Sequence, residues 1–153
     1  MGLLSRILGS QPGSVDDPVL GTLVRRDGQW TGQVRWSHSA QPFALTVDRA
    51  DAGPTAADRA AFEALARDYP SLRVGLEDAL YRLWGPARAM IEPTPPDVSG
   101  SLELCSRMEL QGLALRADGH VDLIYGLAGE SPIEGAFIVS VHGHEVQPVE
   151  YVE

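Results

Sequence analysis

Between residues 55 and 91 the apolar side chains recur at helical spacing, and on both sides of that block they alternate with a period of two. One helical block between two β-type stretches defines an α+β chain. The arrangement it predicts is two antiparallel β-meanders packed against a central helical pair.

The block carries its own punctuation. Thr55 reads as the N-cap, with Asp58 three residues on favouring the helix start. Ala61, Phe62, Leu65, Ala66 and Tyr69 form a first apolar stripe, which Pro70 is expected to end. Ser71 is then placed to cap a second arm with the stripe Leu72, Leu76, Ala79, Leu80, Leu83 and Trp84. Proline inside a helix removes a hydrogen bond and clashes with the preceding turn, at a cost of about 3 kcal/mol or more. Gly85-Pro86 should therefore kink or break that arm, and residues 87–91 add a last turn. Trp84, Gly85 and Pro86 are the candidate partner-binding residues, with Trp84 the aromatic expected to be partly exposed.

The first meander covers residues 19–49. Asp27-Gly28 suits a two-residue hairpin turn, because both positions need positive φ. That turn pairs Arg25 with Trp30, Leu23 with Gly32, Gly21 with Val34 and Val19 with Trp36, all on one face. Phe43, Leu45 and Val47 alternate in a third strand, and Trp30 and Trp36 read as core.

A second meander runs over residues 110–152, and Asp118-Gly119 repeats the turn chemistry of the first. Read as a two-residue turn, it places Leu113, Leu115 and Ile124 on one face. Leu110, Val121, Leu123, Tyr125 and Leu127 then take the other. Strands over 136–142 and 145–152 follow, joined by Gly143-His144 as a type II′ turn, and Pro148 marks the last strand as an edge.

Between these parts lie a polar linker at 10–18, a stiff linker at 92–100 with Pro93, Pro95 and Pro96, and a helical turn within 101–109. The whole chain, 1–153, is expected to be a single domain. Residues 1–9 place Leu3, Leu4, Ile7 and Leu8 on one face of a short helix, too short to cross a membrane. Arg6 breaks the myristoylation pattern that Gly2 begins. The segment is expected to dock on the protein's own body or on a partner.

The formal charge is −9, and all twelve basic residues are arginine. Nucleic-acid binders carry a basic patch, so neither nucleic acid nor an anionic membrane surface is an expected partner. A basic protein is the compatible one, because complementary charge speeds and selects encounter. The single cysteine, Cys105, leaves no internal disulfide and fits the cytoplasm.

Signatures of chemistry are sparse. His142 and His144 form an H-x-H pair near Asp122, Glu134 and Glu145, but zinc needs three or four converging ligands, so no metal is expected. Cys105 lacks the local frame of a cysteine hydrolase and reads as a small buried side chain. No G-x-S-x-G elbow, P-loop or dinucleotide fingerprint occurs, so no catalytic residue and no cofactor are assigned.

The order of parts carries a resemblance. Gly21–x–Leu23, the W-x-G-x-V run from Trp30 to Val34, the LYRLW run from Leu80 to Trp84 and the late Asp118-Gly119 hairpin follow one another in that order. From Leu20 onward this resembles small bacterial α+β proteins of unknown function, some akin to immunity proteins encoded beside polymorphic toxins. The resemblance implies a non-enzymatic protein-binding module, an inhibitor of a basic toxin. The alternatives are an accessory part of a bacterial assembly docking through residues 1–9, and a small hydrolase or metal-dependent enzyme using His142 and His144.

Overall fold

The computed structural model describes residues 13–39, 41–49, 52–128 and 135–152. Its first four strands are β1 (Ser14–Asp17), β2 (Gly21–Arg26), β3 (Gln29–Val34) and β4 (Phe43–Val47). After the helices come β5 (Met108–Leu115), β6 (Val121–Leu127), β7 (Ala136–His142) and β8 (Glu145–Val152). All eight lie in one sheet in sequence order. Neighbours are antiparallel throughout except β4 and β5, which run parallel. A parallel pair needs a crossover, and α1 (Ala56–Arg88) with the short α2 (Ser101–Ser106) supplies it. The architecture is α+β, a mixed sheet with one main helix.

The expected helical pair is instead one helix. α1 runs 33 residues through both Pro70 and Pro86, about 50 Å at 1.5 Å per residue. Its buried stripe, Phe62, Leu65, Leu72, Leu76, Ala79, Leu80, Trp84 and Ala87, never loses phase. Burial along that stripe outweighs two local penalties, because both prolines lie on the exposed face, where freed carbonyls meet water. At Pro70 there is also a substitute donor. The missing N–H would have bonded the Ala66 carbonyl, and His38 Nε2 donates to that oxygen at 2.9 Å. Ser71, expected to cap a second arm, donates back to Asp68 O within the helix.

This substitution predicts a coupling. His38→Ala should cost about 0.5–1.5 kcal/mol, the net worth of one hydrogen bond. In a Pro70→Ala background, where the helix supplies its own N–H, the same change should cost measurably less. Urea unfolding of the two single variants and the double checks it; strict additivity refutes the compensation.

At the start of α1 the expected N-cap is present as a full capping box. Asp58 N donates to Thr55 Oγ1, and Thr55 N donates to Asp58 Oδ2 at 2.7 Å. Arg49 Nη2 adds an ion pair to Asp58 Oδ1 at 3.1 Å. Farther along, Gly75 lets the helix lie close to β8, since a Cβ there would stand 3.2 Å from Val146 Cγ2.

The first hairpin keeps its expected register, with Arg25 opposite Trp30 and Leu23 opposite Gly32. Asp27 and Gly28 both take positive φ, +50° and +81°. The second hairpin does not. Leu115 pairs with Val121, and Arg116 N donates to His120 O, which leaves a three-residue loop with Gly119 at φ +89°. The register therefore moves by one residue, and in a strand one residue exchanges the faces. Leu113, Leu115, Val121 and Leu123 share the core face, aligned with Leu23, Leu45 and Val139. Ile124 moves to the outer face opposite Gly112 and Ile138. Gly143 takes φ +61° in the last turn, and Pro148 lies on the edge strand β8 beside an irregularity in register.

Part of the expected 10–18 linker is the edge strand β1. Only Val15 in SVDD is apolar, so neither alternation nor propensity marks it. Asp17 holds the corner: its Oδ1 accepts from Val19 N and Leu20 N, and its Oδ2 accepts from Arg59 Nε at 2.8 Å. That corner moves the start of β2 to Gly21. Residues 1–9, expected to form a short helix, lie outside the described residues.

Asp17 and Asp58 make the sheet edge and the helix start acid-sensitive. Burial raises both carboxyls, but Leu20 N, Val19 N and Arg59 outweigh it at Asp17, as do Arg49 and Thr55 at Asp58. Both sit below the ordinary carboxylate value. Their contribution is therefore complete above the unfolded value of about 3.9 and is lost as pH falls through the lower folded values. The urea midpoint of the protein should fall on acidification below about pH 4. An Asp17→Asn, Asp58→Asn double variant should start lower at neutral pH and lose less over that range.

Candidate functional site

One side of α1 faces a cleft of about 680 Å³, within the size range of ligand sites. Tyr69, Arg73, Leu76, Glu77 and Leu80 line it from the helix, at three- and four-residue spacing that puts them on one face. Leu102, Cys105 and Ser106 come from α2, Met108, Glu109 and Leu110 from the start of β5, and Tyr125 from β6. His38, Ser39 and Gln41 close one end. The floor is apolar, and Leu102 stands at the rim 65% exposed.

Several ionisable groups around the cleft are engaged with one another. Arg73 Nε donates to Glu77 Oε1 at 2.7 Å. Glu103 accepts from Ser99 N and pairs with Arg107 one turn along α2. The hydroxyls of Tyr69 and Tyr125 lie 3.1 Å apart, and burial followed by the nearby Tyr69 holds the Tyr125 phenol well above its usual range. Burial first, and the Glu77 carboxylate second, push the Cys105 thiol up to about 11. A thiol with that pKa is protonated at neutral pH and is a poor nucleophile. His38 is committed to Ala66 and sits in a ring cluster, 5.3 Å from Trp36 and 5.2 Å from Tyr69.

The residues singled out from sequence fall elsewhere. His142 stacks on His120 with centroids 4.6 Å apart and planes at 27°, so these rings lie face to face rather than converging on a point. His144 instead acts on Asp68 of α1, adding to the larger effect of Arg67 in holding that carboxyl low. Asp122 is bonded to Arg116 at 2.6 Å, and Glu134 lies outside the described residues. Among the described residues no group of three or more His, Cys, Asp or Glu side chains is placed to hold a metal ion.

Trp84, expected to be partly exposed, is 2% exposed. Its ring packs 6.1 Å from Phe137, and its Nε1 donates to Asp97 at 3.4 Å. Gly85 and Pro86 do face solvent, on the outer side of an unbroken helix. Trp30 and Trp36 are core, as expected. Cys105 is half-buried at the cleft wall rather than sealed in the core.

Sequence reading missed the cleft. Its one legible trace was the 69–73–76–80 spacing on α1, hidden by the expected break at Pro70. The His38 loop and the approach of α2 to β5 have no local signature. No protein-family model, curated protein or solved structure matches the chain. Among the described residues no helix is long and apolar enough to cross a membrane.

Proposed function

We propose that this chain is a non-enzymatic protein-binding module for a basic partner, in the manner of an immunity-type inhibitor of a bacterial toxin acting in the cytoplasm. The observation that carries the reading is the cleft, with an exposed leucine at its rim and an apolar floor. Its thiol is held protonated, its imidazole is tied to the helix backbone, and its Glu77 carboxylate is paired. Such a surface suits recognition better than bond-making, which needs a nucleophile or base poised near neutral pH. The charge of −9 favours a cationic partner.

The test is recovery of partners from the native cell on the tagged full chain, at low and at high salt. The expected result is a basic protein whose retention falls with salt and with Leu102→Asp. Recovery of no protein at low salt, or of one indifferent to both salt and the Leu102 change, overturns the reading.

A further inference from the structure

Glu77 and Arg73 form an unequal pair inside the cleft. The Glu77 side chain is 12% exposed, whereas that of Arg73 is 69% exposed. The carboxylate is thus part of the cleft wall, and its counter-ion is an arm exposed to solvent. One hydrogen bond, from Nε to Oε1, joins them, so Oε2 keeps its accepting capacity. Holding the long, exposed Arg73 side chain in one geometry costs rotamer entropy and its end is screened by solvent, which keeps the pair weak. An arriving cation therefore displaces Arg73 at small cost and takes over a carboxylate that is already desolvated. Glu109, at the same cleft, has no ion-pair partner among the described residues and adds negative potential at the entrance.

The apolar part of the site sits beside this charge. Leu76 immediately precedes Glu77 and Leu80 lies one turn after it on the same helix, and Leu110 lines the cleft with them from β5. A ligand matching both features has a cationic head and a large apolar group next to it.

We propose that the cleft is an exchange site for a cationic side chain of a protein partner. An arginine flanked by leucine-sized residues inserts, replaces Arg73 on Glu77, and buries its flanking residue against Leu76, Leu80 and Leu110. This rests on the reading of the chain as a binder of basic proteins and names the residues that do the binding. Guanidinium is the better fit of the two natural cations, because it bonds a carboxylate through two parallel N–H groups.

The experiment uses the full chain and three short peptides, acetyl-Gly-Leu-Arg-Leu-Gly-amide and its counterparts with citrulline or glutamate at the centre, followed by amide chemical shifts. The arginine peptide should perturb the amides around Leu76, Cys105 and Leu110. It should bind about tenfold more tightly than the citrulline peptide, the worth of one charge-assisted hydrogen bond. Glu77→Gln should erase the preference, and Arg73→Ala, which leaves Glu77 unpaired, should tighten arginine binding. The Arg73 variant keeps the idea testable should Glu77→Gln fail to fold. Equal binding of the three peptides, shifts confined to other surfaces, preference for the glutamate peptide, or no binding at millimolar concentration overturns the proposal. Because no native partner enters this assay, its outcome is separate from the recovery experiment: a basic partner retained by Glu77→Gln as well as by the natural chain sinks the cleft and leaves the binding function standing.

Discussion

Trp84→Ala is expected to destabilise the protein by about 3–5 kcal/mol, the usual cost of deleting a large buried aromatic. The side chain is the last large one in the buried stripe of α1 and meets Phe137, itself among the most deeply buried residues. Losing it opens a cavity between helix and sheet. It also removes the N–H that ties the helix to Asp97 and so to the proline-rich stretch that returns the chain toward α2. Against a typical total of about 5–15 kcal/mol, this is about a fifth of the stability or more. Gly85→Ala should act in the opposite sense. A Cβ there meets nothing within 4 Å, and alanine favours the helix over glycine by about 1 kcal/mol. Urea unfolding of the two variants measures both. A Trp84→Ala protein as stable as its parent would mean that the indole is surface after all and would return it to the list of partner contacts.

The second large effect separates two adjacent residues. Leu123→Ala should cost about 2–5 kcal/mol, whereas Ile124→Ala should cost about 1 kcal/mol or less. Leu123 has no exposure and stands in a row with Leu113 and Val139, while Ile124 is half-buried on the face that α1 does not cover. The three-residue loop at Ala117–Gly119 is what decides between them. Had the turn contained two residues, Ile124 would be the core residue and the costs would reverse. Chemical denaturation of both variants reads the register directly.

These two cases mark how far local sequence carried the fold. The alternation of both β-rich halves, the cap at Thr55 and the first Asp-Gly hairpin are local devices, and each was legible. The second Asp-Gly turn uses the same dipeptide in a longer loop. What selects it is the demand that Val121 and Leu123, not Asp122 and Ile124, share the core face with Leu113 and Leu115. The stripe from Phe62 to Ala87 kept its phase across Pro70, so the continuity of α1 was written in the sequence too. The proline penalty hid it, and the compensating donor, His38, is 28 residues away. β1 was invisible because an edge strand anchored by one aspartate needs little β-forming sequence. The cleft was invisible for a related reason: α1, α2, β5, β6 and the segment at His38 meet there, and none of them carries more than a fragment of it.

The single parallel seam between β4 and β5 bears on how the molecule assembles. Every other neighbouring pair is antiparallel and, among the described residues, has no helix between its strands, so each half of the sheet can close as hairpins. The seam joins Ala44 to Gly112 and Val47 to Leu115 across the entire helical crossover. Closing so distant a contact carries an entropy cost that the hairpins avoid, so it belongs late in folding. Until then β4 and β5 are open edges, and two nascent copies could trade halves through them. Because β4 and β5 belong to one chain, the crossover presents them to each other at an effective concentration that a dilute neighbouring copy does not reach. Closure of each chain on itself is thereby favoured over exchange, and crowding of nascent chains is the condition that works against it.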